Sequence, residues 1–256
     1  MKIISSSSNP EIKKIKLLIK KSRERKRLKL FVIEGKREII RAYKSGYNLL
    51  SIFFRENFNE NFEEIKNTTF FEVKKSLFDK ISIRSGSEKM IAIAKSKELM
   101  LDELKLTKKD KVLVIESPEK PGNIGAILRT AAAAEINAVI ISNIKTDIYH
   151  PNIIRSSLGG IFLLQIAVDT SNRTINFLKK NKICIISTSL NEEARNYNEI
   201  IYKTPFALIF GSEDKGLNPI WFKSSDQVAK IPTNETIDSL NLSVSAGILI
   251  YHSLNH

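Results

Sequence analysis

Short, largely apolar runs alternate with helical patterns through the second half of the chain, and this alternation constrains the fold more than any other feature. The runs lie at residues 111–115, 138–142, 162–168, 183–187, 206–210 and 228–231. Strands without polar alternation are typical of a parallel sheet that helices cover on both faces. Helical patterns supply the connections at 124–135, 152–158, 172–180 and 243–254. The sequence therefore predicts an α/β domain over residues 111–256.

A second, smaller α/β unit is predicted ahead of it. Ser8-Asn9-Pro10 has the composition of a helix start, and Ile12, Ile15 and Ile19, with Leu18 alongside, follow at helical spacing. Strand-like runs then alternate with helical segments at 29–33, 36–45, 49–54, 70–73, 75–81 and 90–94. Residues 98–110 are polar and charged, so we predict a first domain over 1–97, a linker over 98–110 and a second domain over 111–256.

Positive charge is concentrated at the start of the chain. The formal net charge is +13, and residues 1–100 alone contain 24 Lys plus Arg against 12 Asp plus Glu. The first 30 residues contain 11 basic and 2 acidic groups. Such a segment indicates a surface that binds a polyanion, although a solvated lysine-rich helix or an acidic membrane surface would also fit.

Composition excludes several classes of protein. No stretch approaches the roughly 18 apolar residues of a membrane-spanning helix, so we expect no membrane partner. Cys184 is the single cysteine, which excludes a disulfide within the chain and a cysteine-based zinc site, and we expect no metal. The N-terminus has no apolar core of a signal peptide, so we expect a cytoplasmic protein.

Three polar clusters follow predicted strands of the second domain, at 116–130, 208–217 and 231–247. Ligands of open α/β sheets bind beyond the carboxyl ends of the strands, which makes these clusters the candidate site. Each alone also fits an ordinary strand–helix turn or a helix cap. The chain contains neither a G-x-G-x-x-G dinucleotide fingerprint nor a Walker A loop, so a nucleotide-dependent oxidoreductase is disfavoured.

Taken in this order, the clusters resemble the SpoU/TrmH branch of the SPOUT RNA methyltransferases. The matching residues are Asn123-x-Gly125-x-x-x-Arg129, Gly211-Ser-Glu213-x-x-Gly216-Leu217, and Ile231-Pro232 followed by Asp238-Ser239-Leu240-Asn241-x-Ser243. Ser8-Asn9-Pro10, Phe31-Val-Ile-Glu-Gly35 and Ile91-Ala-Ile93 resemble the small L30e-like domain that precedes the catalytic domain in this family. The resemblance therefore covers nearly the whole chain.

The resemblance implies a fold, a reaction and partners. It implies an α/β SPOUT domain with a deep trefoil knot, and transfer of a methyl group from S-adenosyl-L-methionine to a ribose 2′-hydroxyl of structured RNA, of 23S rRNA type. It also implies a homodimer whose active site is completed across the interface. By motif match, the cofactor contacts would come from Gly211, Ile231 and Leu240.

The same motifs assign candidate catalytic residues. Arg129 is the catalytic residue by position; because arginine stays protonated, we expect it to bind the RNA phosphate next to the reacting ribose rather than to accept a proton. Asn123 is expected to bond the ribose or to orient Arg129. Glu213 is expected to fix its loop or to orient the ribose, and Ser239 and Asn241 to do the same from the other side. Asn241 could instead simply cap the last helix.

Two departures from the family pattern and three alternatives stay open. Asp214 stands where many relatives have glycine, and Glu235 where a small residue is common; either could change loop shape or cofactor affinity. A tRNA substrate is the first alternative, and a catalytically silent RNA-binding or ribosome-assembly factor on the same scaffold is the second. The third is an enzyme that protects the ribosome from an antibiotic.

Overall fold

The computed structural model describes residues 2–58, 65–83, 88–191, 194–234, 236 and 239–255. The chain divides into two units, each with its own sheet. The first unit contains the residues up to Glu98 and the segment Asp147–Leu163. The second contains Leu99–Thr146 and the residues from Leu164 onward.

The first unit is built on a mixed sheet. Its elements up to Glu98 are, in chain order, β1 (Lys2–Ile4), α1 (Pro10–Lys20), α2 (Ser22–Leu28), β2 (Leu30–Glu34), α3 (Lys36–Lys44), β3 (Leu49–Arg55), β4 (Thr69–Val73), α4 (Lys75–Phe78) and β5 (Met90–Lys95). The described strands lie in the order β1-β4-β3-β5-β2. β5 runs antiparallel to β2 and β3, whereas β4 is parallel to β1 and β3. The predicted small α/β unit is therefore confirmed.

Helix α1 begins where the sequence predicts. The Asn9 side-chain oxygen accepts a hydrogen bond from the backbone N–H of Glu11 at 2.9 Å, and Pro10 occupies the first helical turn. Ile12, Ile15 and Leu18 are fully buried against the sheet, so Leu18 takes the core position predicted for Ile19, which is half-buried.

The second unit contains a parallel sheet. From Leu99 onward the elements are β6 (Lys111–Glu116), α5 (Pro121–Ala133), β7 (Ala138–Ser142), α6 (Pro151–Ser156), β8 (Gln165–Asp169), α7 (Ser171–Lys180), β9 (Cys184–Thr188), β10 (Arg195–Asn196), β11 (Phe206–Phe210), α8 (Pro219–Ser224), β12 (Gln227–Lys230) and α9 (Leu242–Ser253). Of these, α6 belongs to the first unit. The described strands lie in the order β10-β12-β9-β11-β6-β7-β8, and every pair is parallel. The predicted strand over 162–168 begins only at Gln165, because Gly160–Phe162 forms a 3-10 turn.

The strand order places two distant parts of the sequence side by side. β11 lies between β9 and β6, and Phe210 pairs with Ile115, so β11 and β6 end at the same edge of the sheet. β7 lies on the other side of β6. β6 is therefore the strand from which the chain winds in both directions, which is where open α/β sheets bind ligands.

The segment Asp147–Leu163 groups with the first unit, although the predicted boundaries assign it to the second domain. Its aromatic side chains explain the grouping. The Tyr149 ring stacks on Phe31 with centroids 4.3 Å apart, and Phe162 packs edge-on to Tyr47 at 5.1 Å. Because all four rings are buried, this segment completes an apolar core that the first 98 residues leave open.

A buried ion pair holds the same segment. Arg25 and Asp147 are 3% and 6% exposed, and the Arg25 Nε donates to the Asp147 carboxylate at 2.5 Å. The Arg25 Nη1 also donates to the Leu18 carbonyl at 2.6 Å. Arg25, one of the basic residues of the predicted polyanion-binding segment, therefore has a structural role and is not available to a polyanion.

Within the described residues, no helix combines the length and the hydropathy needed to cross a bilayer. The trefoil knot implied by the resemblance stays a prediction.

The Arg25–Asp147 pair gives a stability prediction. Replacing Arg25 with alanine leaves a buried carboxylate without its cation, so we expect a loss of about 3–5 kcal/mol in the free energy of unfolding. The matched control is Arg27→Ala, since the Arg27 side chain is 62% exposed and pairs with Glu24 at the surface; its cost should stay within about 1 kcal/mol. Urea unfolding measures both, and equal losses in the two variants would contradict the structural role of Arg25.

Candidate active site

The site lies at the carboxyl edge of the second sheet, where the loops after β6, β9, β11 and β12 meet. β9, β11 and β6 are successive neighbours, so the loops that follow them start side by side. The loop after β6 leads directly into α5, and the segment after β12 leads into α9. Since α5 and α9 pack against each other, residues from all three sequence clusters come together here.

Glu213, Asn123 and Asn241 form a connected group of hydrogen bonds. The Asn123 side-chain amide donates to the Glu213 carboxylate at 2.6 Å. The Asn241 amide donates in turn to the Asn123 side-chain oxygen at 3.3 Å. One member comes from each of the three clusters, which lie 90 and 118 residues apart along the chain.

Asn241 also caps the last helix. Its side-chain oxygen accepts from the backbone N–H of Ser243 at 2.9 Å and from the Ser243 hydroxyl at 2.7 Å. The helix-cap interpretation of Asn241 thus describes a contact that the structure contains, while its amide reaches Asn123 and its role toward the ribose stays a prediction. The cap orients the amide toward the site.

The loop after β11 depends on a glycine. A Cβ atom at Gly211 would lie 2.2 Å from the Gly216 carbonyl carbon and 2.4 Å from the Leu217 nitrogen. The backbones of Ser212 and Gly216 exchange two hydrogen bonds of 3.1 Å, and Gly216 has a left-handed φ of 64°. The loop is thus folded tightly back on Gly211, with Glu213 projecting from its middle. Gly122, by contrast, faces open space at the start of α5.

A cavity of about 740 Å³ opens beside this loop. It is lined by the three residues predicted to contact a cofactor, Gly211, Ile231 and Leu240. Glu213, Ser239 and Asn241 also line it, together with Thr188 at the end of β9 and residues 189–191 of the loop that follows. Its volume lies in the range of small-molecule and cofactor pockets.

Arg129 does not join this group within the chain. It is exposed on α5 and does not line the cavity, and its side chain makes no hydrogen bond or ion pair with the described part of the chain. Arg129 follows Asn123 by six residues, which places it about 9 Å further along the helix and on a different face. The structure therefore brings four of the five predicted catalytic residues to the cavity or its hydrogen-bonded edge, and leaves the fifth outside.

Charged side chains surround the mouth of the cavity. The Lys145 ammonium donates to the Glu119 carboxylate, which lowers the pKa of Glu119 and raises that of Lys145. Lys120 and Lys215 line the cavity, are exposed, and make no ion pair with the described residues. Glu213 and Asp214 line the cavity as well, and the two lysines contribute to the lowered pKa of Glu119, so the rim carries charges of both signs.

The structure describes one of the two residues that depart from the family pattern. Asp214 is exposed in the loop after β11 and lines the cavity, so it alters the charge of the rim rather than the shape of the Gly211 turn. Glu235 and Asp238 lie outside the described residues. The sequence did not single out the lining residues of the loop after β9; only the position of β9 next to β11 could have indicated them.

Family models match nearly all of this architecture. Residues 110–251 match the model of the SpoU rRNA methylase family, and residues 9–92 match that of the MRM3-like substrate-binding domain. The chain belongs to the SpoU rRNA methylase family.

Several RNA methyltransferases are similar to this protein over all or nearly all of the chain. The 23S rRNA (guanosine(2553)-2′-O)-methyltransferase RlmP of Bacillus subtilis is 28% identical over 252 residues, which cover 98% of this chain and 99% of that protein. A crystal structure of an RNA 2′-O ribose methyltransferase shares 32% identity with a TM-score of 0.85, over 99% of this chain and 98% of the other. An AdoMet-bound rRNA methyltransferase from Sinorhizobium meliloti, 24% identical, has the same fold, with a TM-score of 0.92 over 100% of this chain and 98% of its own.

The close approach at Gly211 gives a second prediction. Gly211→Ala forces the Gly216–Leu217 peptide to move, so we expect a loss of about 1–3 kcal/mol in stability and weaker binding of any ligand in the cavity. Gly122→Ala is the control, because an added methyl group there meets no atom within 4 Å. Urea unfolding and titration with S-adenosylmethionine measure the two effects. Equal stability and affinity in the two variants would contradict the assigned role of Gly211.

Proposed function

We propose that this protein is an S-adenosylmethionine-dependent methyltransferase that modifies a ribose 2′-hydroxyl in ribosomal RNA. The observation that carries the proposal is the hydrogen-bonded group Glu213–Asn123–Asn241 beside the cavity, which unites the three family motifs. Membership of the SpoU family supports the reaction, and the names of full-length relatives such as RlmP support ribosomal RNA. We also propose that the protein acts in the cytoplasm.

The cavity suits the proposed cofactor. Ile231 and Leu240 provide apolar lining, whereas the Gly211 loop lets backbone approach the ligand closely. When bound, S-adenosylmethionine would supply a methyl group whose carbon is made electrophilic by the positively charged sulfur. The chain must therefore hold the ribose hydroxyl in line with that methyl group and keep competing water away.

The hydrogen-bonded group can position the ribose. Glu213 accepts from Asn123 through one carboxylate oxygen, and its other oxygen lies 3.5 Å from the backbone nitrogen of Glu119. This fixes Glu213 at the edge of the cavity, where it can accept a hydrogen bond from a ribose hydroxyl. Ser239 is exposed and lines the same cavity, so its hydroxyl can provide a second hydrogen bond to the sugar. Two such contacts restrict the rotation of the sugar and raise the effective concentration of its hydroxyl.

Arg129 would bind the RNA rather than accept the proton. Its guanidinium stays protonated at physiological pH, and its planar fork matches the oxygens of a phosphodiester. A phosphate held there can take the proton from the adjacent ribose hydroxyl or pass it to water. The exposed position of Arg129 on α5 leaves the guanidinium available for this contact.

We further propose that the active form is a homodimer in which Arg129 serves the partner's cavity. Arg129 does not line the cavity of its own chain. Val244 and Tyr251, two turns apart on α9, are 49% and 51% exposed, which leaves an apolar face available for a second copy. A dimer across α5 and α9 would bury that face and bring each arginine to the other active site.

The first unit would grip RNA phosphates through the exposed cations of α1 and α2. Lys13, Lys20, Lys21, Arg23 and Lys26 are exposed and make no ion pair with the described residues. Other basic groups of this segment are neutralised: Arg25 by Asp147, Arg27 by Glu24 and Lys29 by Glu98.

The observations support a tRNA substrate, or a catalytically silent RNA-binding factor, less well. RlmP, which matches 98% of this chain, is named for 23S rRNA. The residues assigned to chemistry are all present, namely Arg129, Asn123, Glu213, Ser239 and Asn241. A silent RNA-binding factor would have no need of them.

Mixed dimers test the shared site. Arg129→Ala and Asn123→Ala should each reduce methyl transfer to ribosomal RNA about 100-fold or more, with cofactor binding retained. When the two variants are co-expressed, half of the dimers are mixed, and each contains one intact site, so about a quarter of wild-type activity should return. If Arg129 acts within its own chain, both sites of every mixed dimer are defective and no activity returns.

Salt dependence tests the cationic surface. The double variant Lys13→Gln, Lys20→Gln should reduce the slope of log affinity for RNA against log salt by about 1 for each lysine. Each lysine that binds a phosphate releases a counterion from the RNA, and this release is lost in the variant. Lys179→Gln with Lys180→Gln, two exposed lysines at the end of α7, changes the net charge equally and serves as the control. Equal slopes for the two double variants would contradict the assignment of the surface to α1 and α2.

A further inference from the structure

Glu116 is a buried acid that the proposed chemistry does not use. It is the last residue of β6 and is 3% exposed. One carboxylate oxygen accepts from the Ser171 hydroxyl at 2.6 Å, and the other accepts from the backbone N–H of Asn218 at 2.9 Å. Ser171 begins α7 and Asn218 precedes α8, so one carboxylate joins loops on opposite sides of β6.

These contacts continue across the carboxyl edge of the sheet. The Asn143 amide donates to the Ser171 hydroxyl at 2.8 Å. Asn143 follows β7, Ser171 follows β8, Glu116 ends β6, and Asn218 closes the loop that follows β11. A continuous chain of hydrogen bonds therefore connects the ends of four adjacent strands, with Glu116 at its centre.

A carboxylate in this position is costly. Glutamate is rarely buried unless it is paired, and Glu116 makes no ion pair with the described residues. Its two hydrogen bonds and its place at the first turn of α7 compensate in part. Each of its oxygens therefore needs a donor, and the two donors that it has, the Ser171 hydroxyl and the Asn218 N–H, lie on either side of β6.

What it holds is the end of the catalytic loop. The loop begins at Gly211, is closed on itself by the paired backbones of Ser212 and Gly216, and ends at Asn218. Glu213 projects from this loop to the Asn123 amide. The bond from Glu116 to the Asn218 N–H ties the loop to β6, the strand that leads to Asn123.

We propose that Glu116 is a positioning residue for methyl transfer, which sets the Gly211–Asn218 loop so that Glu213 meets Asn123. This inference rests on the proposed function. Glu116 touches neither substrate nor cofactor; it acts through the Asn218 N–H. Displacement of the loop by about 1 Å would misalign the ribose and slow transfer without removing any catalytic group.

Three variants separate positioning from stability. Glu116→Ala should lower kcat roughly 10- to 100-fold. Glu116→Gln keeps an oxygen for the Asn218 N–H and should retain kcat within about threefold. Ser171→Ala removes only the partner on α7 and should lower the melting temperature with kcat unchanged. If Glu116→Ala does not fold, Glu116→Asp, which is too short to reach both partners, takes its place.

Amide hydrogen exchange provides a second readout, which does not require turnover. Amide hydrogen exchange of residues 211–218 should quicken in Glu116→Ala and stay slow in Glu116→Gln and Ser171→Ala. In a double-mutant cycle, Glu213→Ala should lower kcat much less in the Glu116→Ala background than in the wild type, because both substitutions disturb the contact between Glu213 and Asn123. The proposal would be overturned if the fold-losses of kcat in Glu116→Ala and Glu213→Ala simply multiplied in the double variant. It would also be overturned if Ser171→Ala lowered kcat as much as Glu116→Ala does. If the wild type transfers no methyl group, the proposed function fails, and the exchange data alone decide whether Glu116 holds the loop.

Discussion

The candidate site depends on the position of β11 beside β6 in the parallel sheet. Backbone hydrogen bonds pair the two strands through Phe210 and Ile115, so their carboxyl ends coincide. This alone brings the loop containing Glu213 to the helix containing Asn123, 90 residues earlier in the chain. The close approach at Gly211 and the cap of α9 by Asn241 then refine the geometry, and neither could act if the strands were not neighbours.

Buried and exposed charges have different tasks in this chain. Arg25 is paired with Asp147 inside the first unit, where it holds the segment Asp147–Leu163 in place. The cations that remain exposed on α1 and α2 are the ones available to a polyanion. Net charge therefore indicated a class of partner, whereas burial decides which residues can meet it.

Much of the fold was predictable because burial leaves a local mark on the sequence. Strands with both faces buried appear in the sequence as largely apolar runs, and the apolar residues of α1 recur at helical spacing. The failures have physical reasons as well. β1 is three residues long, and α2 contains a single apolar residue, Leu28, so neither shows periodicity. The docking of Asp147–Leu163 onto the first unit depends on rings that are distant in sequence and could not be inferred locally.

The resemblance named the residues of the candidate site but not their geometry. The resemblance named Asn123, Glu213 and Asn241, yet only the sheet order shows that their side chains touch. Glu116 gave no distinct signal in the sequence, because Glu34, Arg55 and Asp169 also end strands; only its burial sets it apart. Arg129, named by the same resemblance, lies outside the cavity of its own chain.

The most direct measurement is site-resolved mapping of ribose methylation. Ribosomal RNA and tRNA from cells lacking this gene are incubated with the purified protein and S-adenosylmethionine, and 2′-O-methyl groups are then mapped along both. The account predicts one new 2′-O-methyl group in ribosomal RNA, absent when Asn123→Ala replaces the wild type. A new methyl group in tRNA alone, on a base, or in neither RNA would contradict it.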